Sequence, residues 1–318
     1  MSKATSAGDE QREGFALLLV IWILALMAVL AAGVAAVSQS ESKIARNRME
    51  LAEARGLAES GVTLAVANLL VPDMTLRWHA DGTTRTMALG DGTVAITAQD
   101  EAGKIDLNQA PLEFIASLFD TLDPETKEIR ETVMAGIAEQ RQAAASSANT
   151  ANTGSRSFEL PGRRRSSASL SKAAFANLSE LKQIPGMTTA AFERLRPFIT
   201  VYSQSATINP LTAPREVLAA LPGIDPTTID LYIAARQVPG TAQSSPNLPS
   251  FGATASRYLS IADLAAVTIT ATATVKSGIT FSREAVVAFE PTAALPFRYL
   301  EWHQDTGAAE ALTAQAGP

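Results

Sequence analysis

The strongest constraint on how this chain folds is a run without a single charge, Gly14 to Ser40, whose apolar part reaches from Phe15 to Val37. Crossing a bilayer core takes roughly 20 residues as a helix, which satisfies its own backbone groups there. The run therefore predicts an N-terminal membrane-spanning helix over 15–37. A secretory signal peptide has a basic start, a shorter apolar core and a small-x-small site after that core. Here the leader, with Lys3, Asp9, Glu10, Arg12 and Glu13, is mildly acidic, and the distinctive junction Arg12-Glu13-Gly14-Phe15 precedes the core. Beyond the span stand Glu41, Lys43, Arg46, Arg48 and Glu50. By the positive-inside rule alone, this distal charge places the C-terminal part in the cytoplasm.

Helical periodicity continues through Leu51, Ala54, Ala58, Gly61, Val62, Ala65 and Leu69 and is expected to stop near Val71-Pro72, where proline blocks the next turn. Turn dipeptides then flank Thr83 to Leu89, and Val94, Ile96 and Ala98 alternate with their neighbours, so two strands are expected. Far downstream, Val267 to Val275 alternates apolar and hydroxyl residues, predicting a strand with one buried and one wet face. Lys276-Ser277-Gly278 reads as a turn, Ile279 to Phe289 as the returning strand, and Phe297 to Trp302 as a last short one.

Between the β regions the sequence is helical and echoes itself. Ala110-Pro111 with Glu113 and Ala213-Pro214 with Glu216 open two helices in the same way, proline in the first turn and glutamate at the positive end. Leu181 to Met187 and Val217 to Ile224 each end a short helix at Pro-Gly and lead into another, over Thr189 to Leu195 and Thr227 to Arg236. That is helix-hairpin-helix spacing. Two low-complexity stretches, Ala143 to Ser157 and Gly240 to Ala253, read as mobile loops.

Composition excludes several chemistries. The chain has no cysteine, so disulfides, zinc thiolate sites and cysteine nucleophiles are absent, and its two histidines, His79 and His303, lie in unrelated contexts. Its net charge of -6 gives no general attraction to nucleic acid or anionic lipid. Asp100, Glu101 and Asp106, interleaved with Gly103 and Lys104, read as a turn into the helical region rather than as paired catalytic carboxylates. Arg163-Arg164-Arg165 reads as a solvated loop. With no nucleophile motif, phosphate loop or metal cluster in view, no enzymatic activity is expected.

Several of these residues together carry a resemblance. The Gly14-Phe15 junction and apolar helix, the stretch Asp100-Glu101-Ala102-Gly103-Lys104-Ile105-Asp106-Leu107-Asn108 with Ala110-Pro111, Ile184 to Met187, Thr200 to Ser203, Ile208-Asn209, Ala213-Pro214 and Leu300 to Trp302 resemble general secretion pathway protein K. That family is the largest minor pseudopilin of type II secretion systems. The resemblance implies a leader over 1–14, cleaved after Gly14 by the prepilin peptidase, and N-methylation of Phe15. It implies an α+β fold: a long N-terminal transmembrane and amphipathic helix over 15–72, on an antiparallel pilin-like sheet supplied by 73–108 and the returning strands of 241–318. A large inserted all-α domain with helix-hairpin-helix-like repeats would occupy 109–240. The protein would sit in the inner membrane as a single-pass chain with its globular part in the periplasm. It would initiate and cap a pseudopilus with minor pseudopilins I and J, other pseudopilins and the inner-membrane assembly platform, and take no nucleic acid.

Two positions sharpen that expectation. Pilin-type subunits carry a glutamate at the fifth mature residue, which compensates a neighbour's amino terminus inside the stem; here, counting from Phe15, it is Leu19. A buried carboxylate is costly unless paired, so a subunit with no neighbour above it is the one that omits it. Family members also bind calcium in the helical domain. Here the matching region is Ile137 to Gln142, and the following loop to Lys172 carries Glu159 as its sole carboxylate against Arg156, Arg163, Arg164, Arg165 and Lys172. Calcium takes about six to eight oxygen ligands, so the family's calcium sites are expected to be lost or reduced, leaving no cofactor and no metal.

The rival reading is a membrane-anchored helix-hairpin-helix DNA receptor of a competence-like system. DNA-binding hairpins read Gly-apolar-Gly, whereas Gly186-Met187 is followed here by Thr188 and Gly223-Ile224 by Asp225. From Leu178 to Gly240 the cations are matched one for one by carboxylates, which leaves no basic patch.

Overall fold

A computed structural model describes residues 7–73, 75–122, 127–153, 173–236, 250–290 and 295–304. One helix, α1 (Ala7–Leu69), runs for 63 residues and stops just before Pro72. It starts ahead of the expected cleavage junction, within the leader. From Leu17 to Leu30 every large apolar side chain on it is at least 48% exposed. The described side chains of this run cover 17–33, about 25 Å at roughly 1.5 Å per residue, against the roughly 30 Å of a bilayer core. Among the described residues no helix is long and apolar enough to cross a membrane. The side chains that would extend the run to the predicted 15–37 lie outside them.

The last third of α1 is different, because it packs on a sheet. Strands β1 (Asp81–Leu89), β2 (Gly92–Asp100), β5 (Ala266–Thr274), β6 (Thr280–Phe289) and β7 (Phe297–Gln304) form an antiparallel sheet in the order β1-β2-β5-β6-β7. All five expected strands are present, and their alternation sets the faces. Val94, Ile96, Ala98, Ile269, Ala271, Ala285 and Val287 turn inward to Ala54, Ala58, Val62, Ala65 and Leu69 of α1. The threonines of β2 and β5 turn outward. Small residues bring the helix close: a Cβ on Gly61 would lie 2.8 Å from Val94 Cγ1 and 3.1 Å from Ala271 Cβ. Arg283 of β6, 6% exposed, donates to Glu59 of α1 at 2.8 Å and stacks against Phe281 and Trp302, so the one cation on the described inward face of β6 is paired.

Between β2 and β5, neighbours in the sheet, the chain leaves to build a second core. It comprises α2 (Leu112–Leu122), α3 (Lys127–Thr153), α4 (Thr189–Leu195), α5 (Arg215–Ala219), α6 (Pro226–Arg236) and α7 (Gly252–Ser256), packed around Phe114, Leu118, Ile137, Phe175 and Leu218. This part is mainly helical but not all-α. Strand β3 (Ile105–Asp106) pairs in parallel with β4 (Ile199–Thr200), which falls inside the stretch expected to be helical throughout. The pairing joins the start of the excursion to a residue almost a hundred positions later, a contact invisible to local pattern. A second difference lies at Ala143 to Ser157, expected as a loop, where α3 continues to Thr153. Alanines favour the helix, and Ser146 and Ser147 return their hydroxyls to the carbonyls of Gln142 and Ala143 at 2.9 Å. The other stretch read as a loop lies outside the described residues up to Pro249, and α7 begins at Gly252.

Both helix-hairpin-helix readings keep their Pro-Gly turns, though the first helix of the first pair is a 3-10 turn over Leu178–Gln183. The residues that replace the second glycine act as caps. Thr188 Oγ1 accepts from Ala191 N at 3.1 Å, and an Asp225 carboxylate oxygen accepts from Thr227 N at 3.0 Å.

Candidate functional site

The region with the richest chemistry is the junction where the helical core meets the sheet, built from the acidic stretch that closes β2. Asp100 caps the 3-10 turn Glu101–Gly103: one carboxylate oxygen accepts from Ala102 N at 3.0 Å, the other from Thr212 Oγ1 at 2.9 Å and Asn209 Nδ2 at 3.4 Å. Asn209 N donates to Ala102 O at 2.7 Å, and Gln99 Nε2 donates to Thr212 O at 2.8 Å. Gly103 is required here, since a Cβ would stand 2.8 Å from the carbonyl of Thr212. Burial pushes the Asp100 carboxyl up to about 6, against the pull of its hydrogen bonds from Ala102 and Thr212.

Glu101 is 1% exposed and pairs with Lys104 at 2.6 Å. It also accepts from Thr200 Oγ1 of β4 and Thr268 Oγ1 of β5, so one carboxylate bridges both cores. Asp106 accepts from Asn108 N at 2.7 Å, Gln109 N at 3.1 Å, Ser203 Oγ at 3.0 Å and Gln204 N at 2.9 Å, while burial raises its pKa. Asn108 exchanges two hydrogen bonds with the backbone of Phe175, and Arg141 of α3 donates to the carbonyls of Leu107 and Ala110. The three carboxylates that a catalytic reading would have paired are thus held by donors inside the protein. Their chemistry is that of a junction. Among the described residues no group of three or more histidines, cysteines, aspartates or glutamates is placed to hold a metal.

Above this root opens a cleft of about 1210 Å³ between the sheet and the helical core. A second polar group also ties its walls together. Arg196 Nη2 donates to Glu284 Oε1 of β6 at 2.8 Å, His303 Nε2 of β7 lies 3.1 Å from the same oxygen, and the Tyr202 hydroxyl donates to Glu301 of β7. Burial, and then the Glu301 carboxylate, push the Tyr202 phenol above its ordinary range.

Of the residues singled out for processing, Gly14 and Phe15 fall within the backbone of α1, but their side chains lie outside the described residues. Leu19 is 49% exposed, in line with the neighbouring apolar residues of α1.

Residues 94–204, just over a third of the chain, match the family model described as type II secretion system (T2SS), protein K. That stretch contains Asp100, Glu101, Asp106 and Thr200 of the buried root, but not Asn209, Thr212 or Thr268. Among solved structures the chain is similar to the GspK-GspI-GspJ complex of the type 2 secretion system of enterotoxigenic Escherichia coli, at 17% identity and a TM-score of 0.47, over 84% of this chain and 99% of that one. Among curated proteins there is no significant match.

Several of the residues that carry the resemblance meet other parts of the chain in the fold. Thr200, Asn209 and Ala213 all meet the acidic stretch, Ile184 packs where a side chain on Gly136 would collide with it, and Glu301 receives Tyr202. Sequence reasoning missed the second tie, Arg196, Glu284 and His303. A charged residue facing out of the β6 alternation, Glu284, was the one available signal, and it does not say what it meets.

Proposed function

We propose that the protein works as a minor pseudopilin of a type II secretion system, with the apolar run of α1 anchoring it in the inner membrane until assembly draws it into the filament stem. The observation that carries this reading is α1 itself, in a chain with a protein K segment: its last third packs on the sheet, while its large apolar side chains from Leu17 to Leu30 are exposed. Such a surface is stable only under lipid or under other helices of the same kind. Cleavage falls between Gly14 and Phe15, followed by methylation of Phe15, and the globular part lies in the periplasm, reached by export rather than by the distal positive charge. The capping role is supported by Leu19, which brings no carboxylate for a neighbour's amino terminus, and by the helical core standing over the sheet. Partners are minor pseudopilins I and J, other pseudopilins, the prepilin peptidase and the assembly platform. The capped hairpins, Thr188 and Asp225, support a reading without nucleic acid. The poverty of carboxylates after Ile137 supports one without calcium.

The test is the mass of the mature N-terminus from cells with and without the peptidase. A methylated Phe15 that disappears with the peptidase is expected; a retained Met1, or a cut downstream of Val37, refutes the pilin reading.

A further inference from the structure

Beside the buried root the same cleft is lined by groups from both cores, and one nitrogen there has two incompatible partners. His303 Nε2 lies 3.1 Å from Glu284 Oε1 and 3.2 Å from Arg196 Nη2. An arginine only donates and a carboxylate only accepts, so Nε2 serves one of them at a time. With its lone pair free, Nε2 accepts from Arg196 and holds that guanidinium where it reaches Glu284 at 2.8 Å. With a proton on Nε2, the ring donates to Glu284 and sets an N–H against Arg196. A fully protonated ring adds positive charge beside the guanidinium and draws on the carboxylate that the guanidinium needs.

We infer that His303 is a proton-operated latch: protonation weakens the Arg196–Glu284 tie and lets the helical core open from the sheet about the root at Asp100–Lys104. The groups facing His303 are Arg196 from the 3-10 turn before β4, Tyr202 after β4, Glu284 from β6 and Glu301 from its own strand, whose carboxylate is 3.9 Å from Nδ1. Lys182 and Glu193 line the same cleft and pair with each other at 3.3 Å. The second tie, Tyr202 to Glu301, lies next to the latch and limits how far opening goes while it holds. His303 is 40% exposed at its side chain, so a proton reaches it without unfolding. The latch is independent of the filament reading, since it needs only the two cores and their contacts.

The test uses the full chain in detergent micelles. Because it has no cysteine, Ala190→Cys in α4 and Thr86→Cys in β1 accept spin labels at two sites only. Distance distributions are recorded at about pH 8 and at about pH 5. Expected is a rise of the longer-distance population at the lower pH by up to about fivefold, the range that a partly exposed ion pair supplies. His303→Gln, which cannot titrate, is expected to lose the rise of the longer-distance population at the lower pH, and Arg196→Gln to show that population raised at both values. Asp100 remains in both variants, so any titration of the root stays visible. An unchanged distribution in the parent chain, or an undiminished shift in His303→Gln with its far-ultraviolet dichroism intact, overturns the inference.

Discussion

Replacing Asp106 gives the sharpest measure of what the buried junction contributes. Its carboxylate is 1% exposed and accepts from three backbone amides, Asn108, Gln109 and Gln204, and from the Ser203 hydroxyl. Asp106→Ala leaves these donors without a partner, each at a cost of about 1 kcal/mol or more. The carboxylate itself carries a burial cost, seen in its raised pKa, and removing it returns part of the loss. The net expectation is a loss of about 3 kcal/mol, or roughly a hundredfold in the local opening equilibrium. Asp106→Asn keeps the shape and the oxygen facing Asn108 and Gln109, but turns an amide N–H toward Gln204 N, so about 1–2 kcal/mol is expected. The assay is hydrogen exchange read on peptides that contain Gln109 and Gln204, in the full chain at one pH. The order parent, asparagine, alanine in falling protection is expected. Equal protection in parent and alanine variants, or an asparagine variant as open as alanine, would refute the claim that these four bonds hold the junction.

Other outcomes follow from the same geometry. Because burial raises Asp100 to about 6 from an ordinary 3.8, the folded state holds its proton over a range where the unfolded chain has lost it; stability contributed by this group is full below the unfolded value and is lost as pH rises through about 6. The change is about 3 kcal/mol, and a urea titration of Asp100→Asn should lack it. Gly61→Val drives a side chain into Val94 and Ala271, with an expected loss of about 1–3 kcal/mol in thermal unfolding, whereas Gly56→Ala, where a Cβ meets nothing within 4 Å, should be neutral or slightly stabilising. Leu19→Glu restores a carboxylate at the fifth mature position; immunogold labelling along filaments instead of at one end is expected, and unchanged tip labelling would remove the meaning assigned to Leu19.

The legible part of this protein was the part with local period. Alternation in Val94 to Ala98 and in Val267 to Val275 predicted the strands and the face that meets α1, but the threonine face of the second, expected to be wet, is partly covered: Thr272 is 4% exposed and Thr268 donates to Glu101. The three- and four-residue steps from Leu51 to Leu69 predicted the buried face of α1 for the same kind of reason, except that Leu51 is exposed and burial begins at Ala54. Where composition stood in for period it misled: the stretch after Ala143 reads as polar and low in complexity, yet alanine and back-bonded serine carry α3 to Thr153. The acidic stretch was recognised as a turn, but nothing near it in sequence shows that Glu101 would be closed over by Thr200 and Thr268.

The chain by itself determined the long N-terminal helix, the strands and the face they turn to that helix, since each follows from neighbours within a few residues. The tertiary structure alone decided that β3 pairs with β4, that Asp100, Glu101 and Asp106 are buried as a junction, and that His303 meets Arg196. Those contacts join residues roughly a hundred positions apart, and which polar groups share a buried space is set by how two cores close on each other, which no local period encodes.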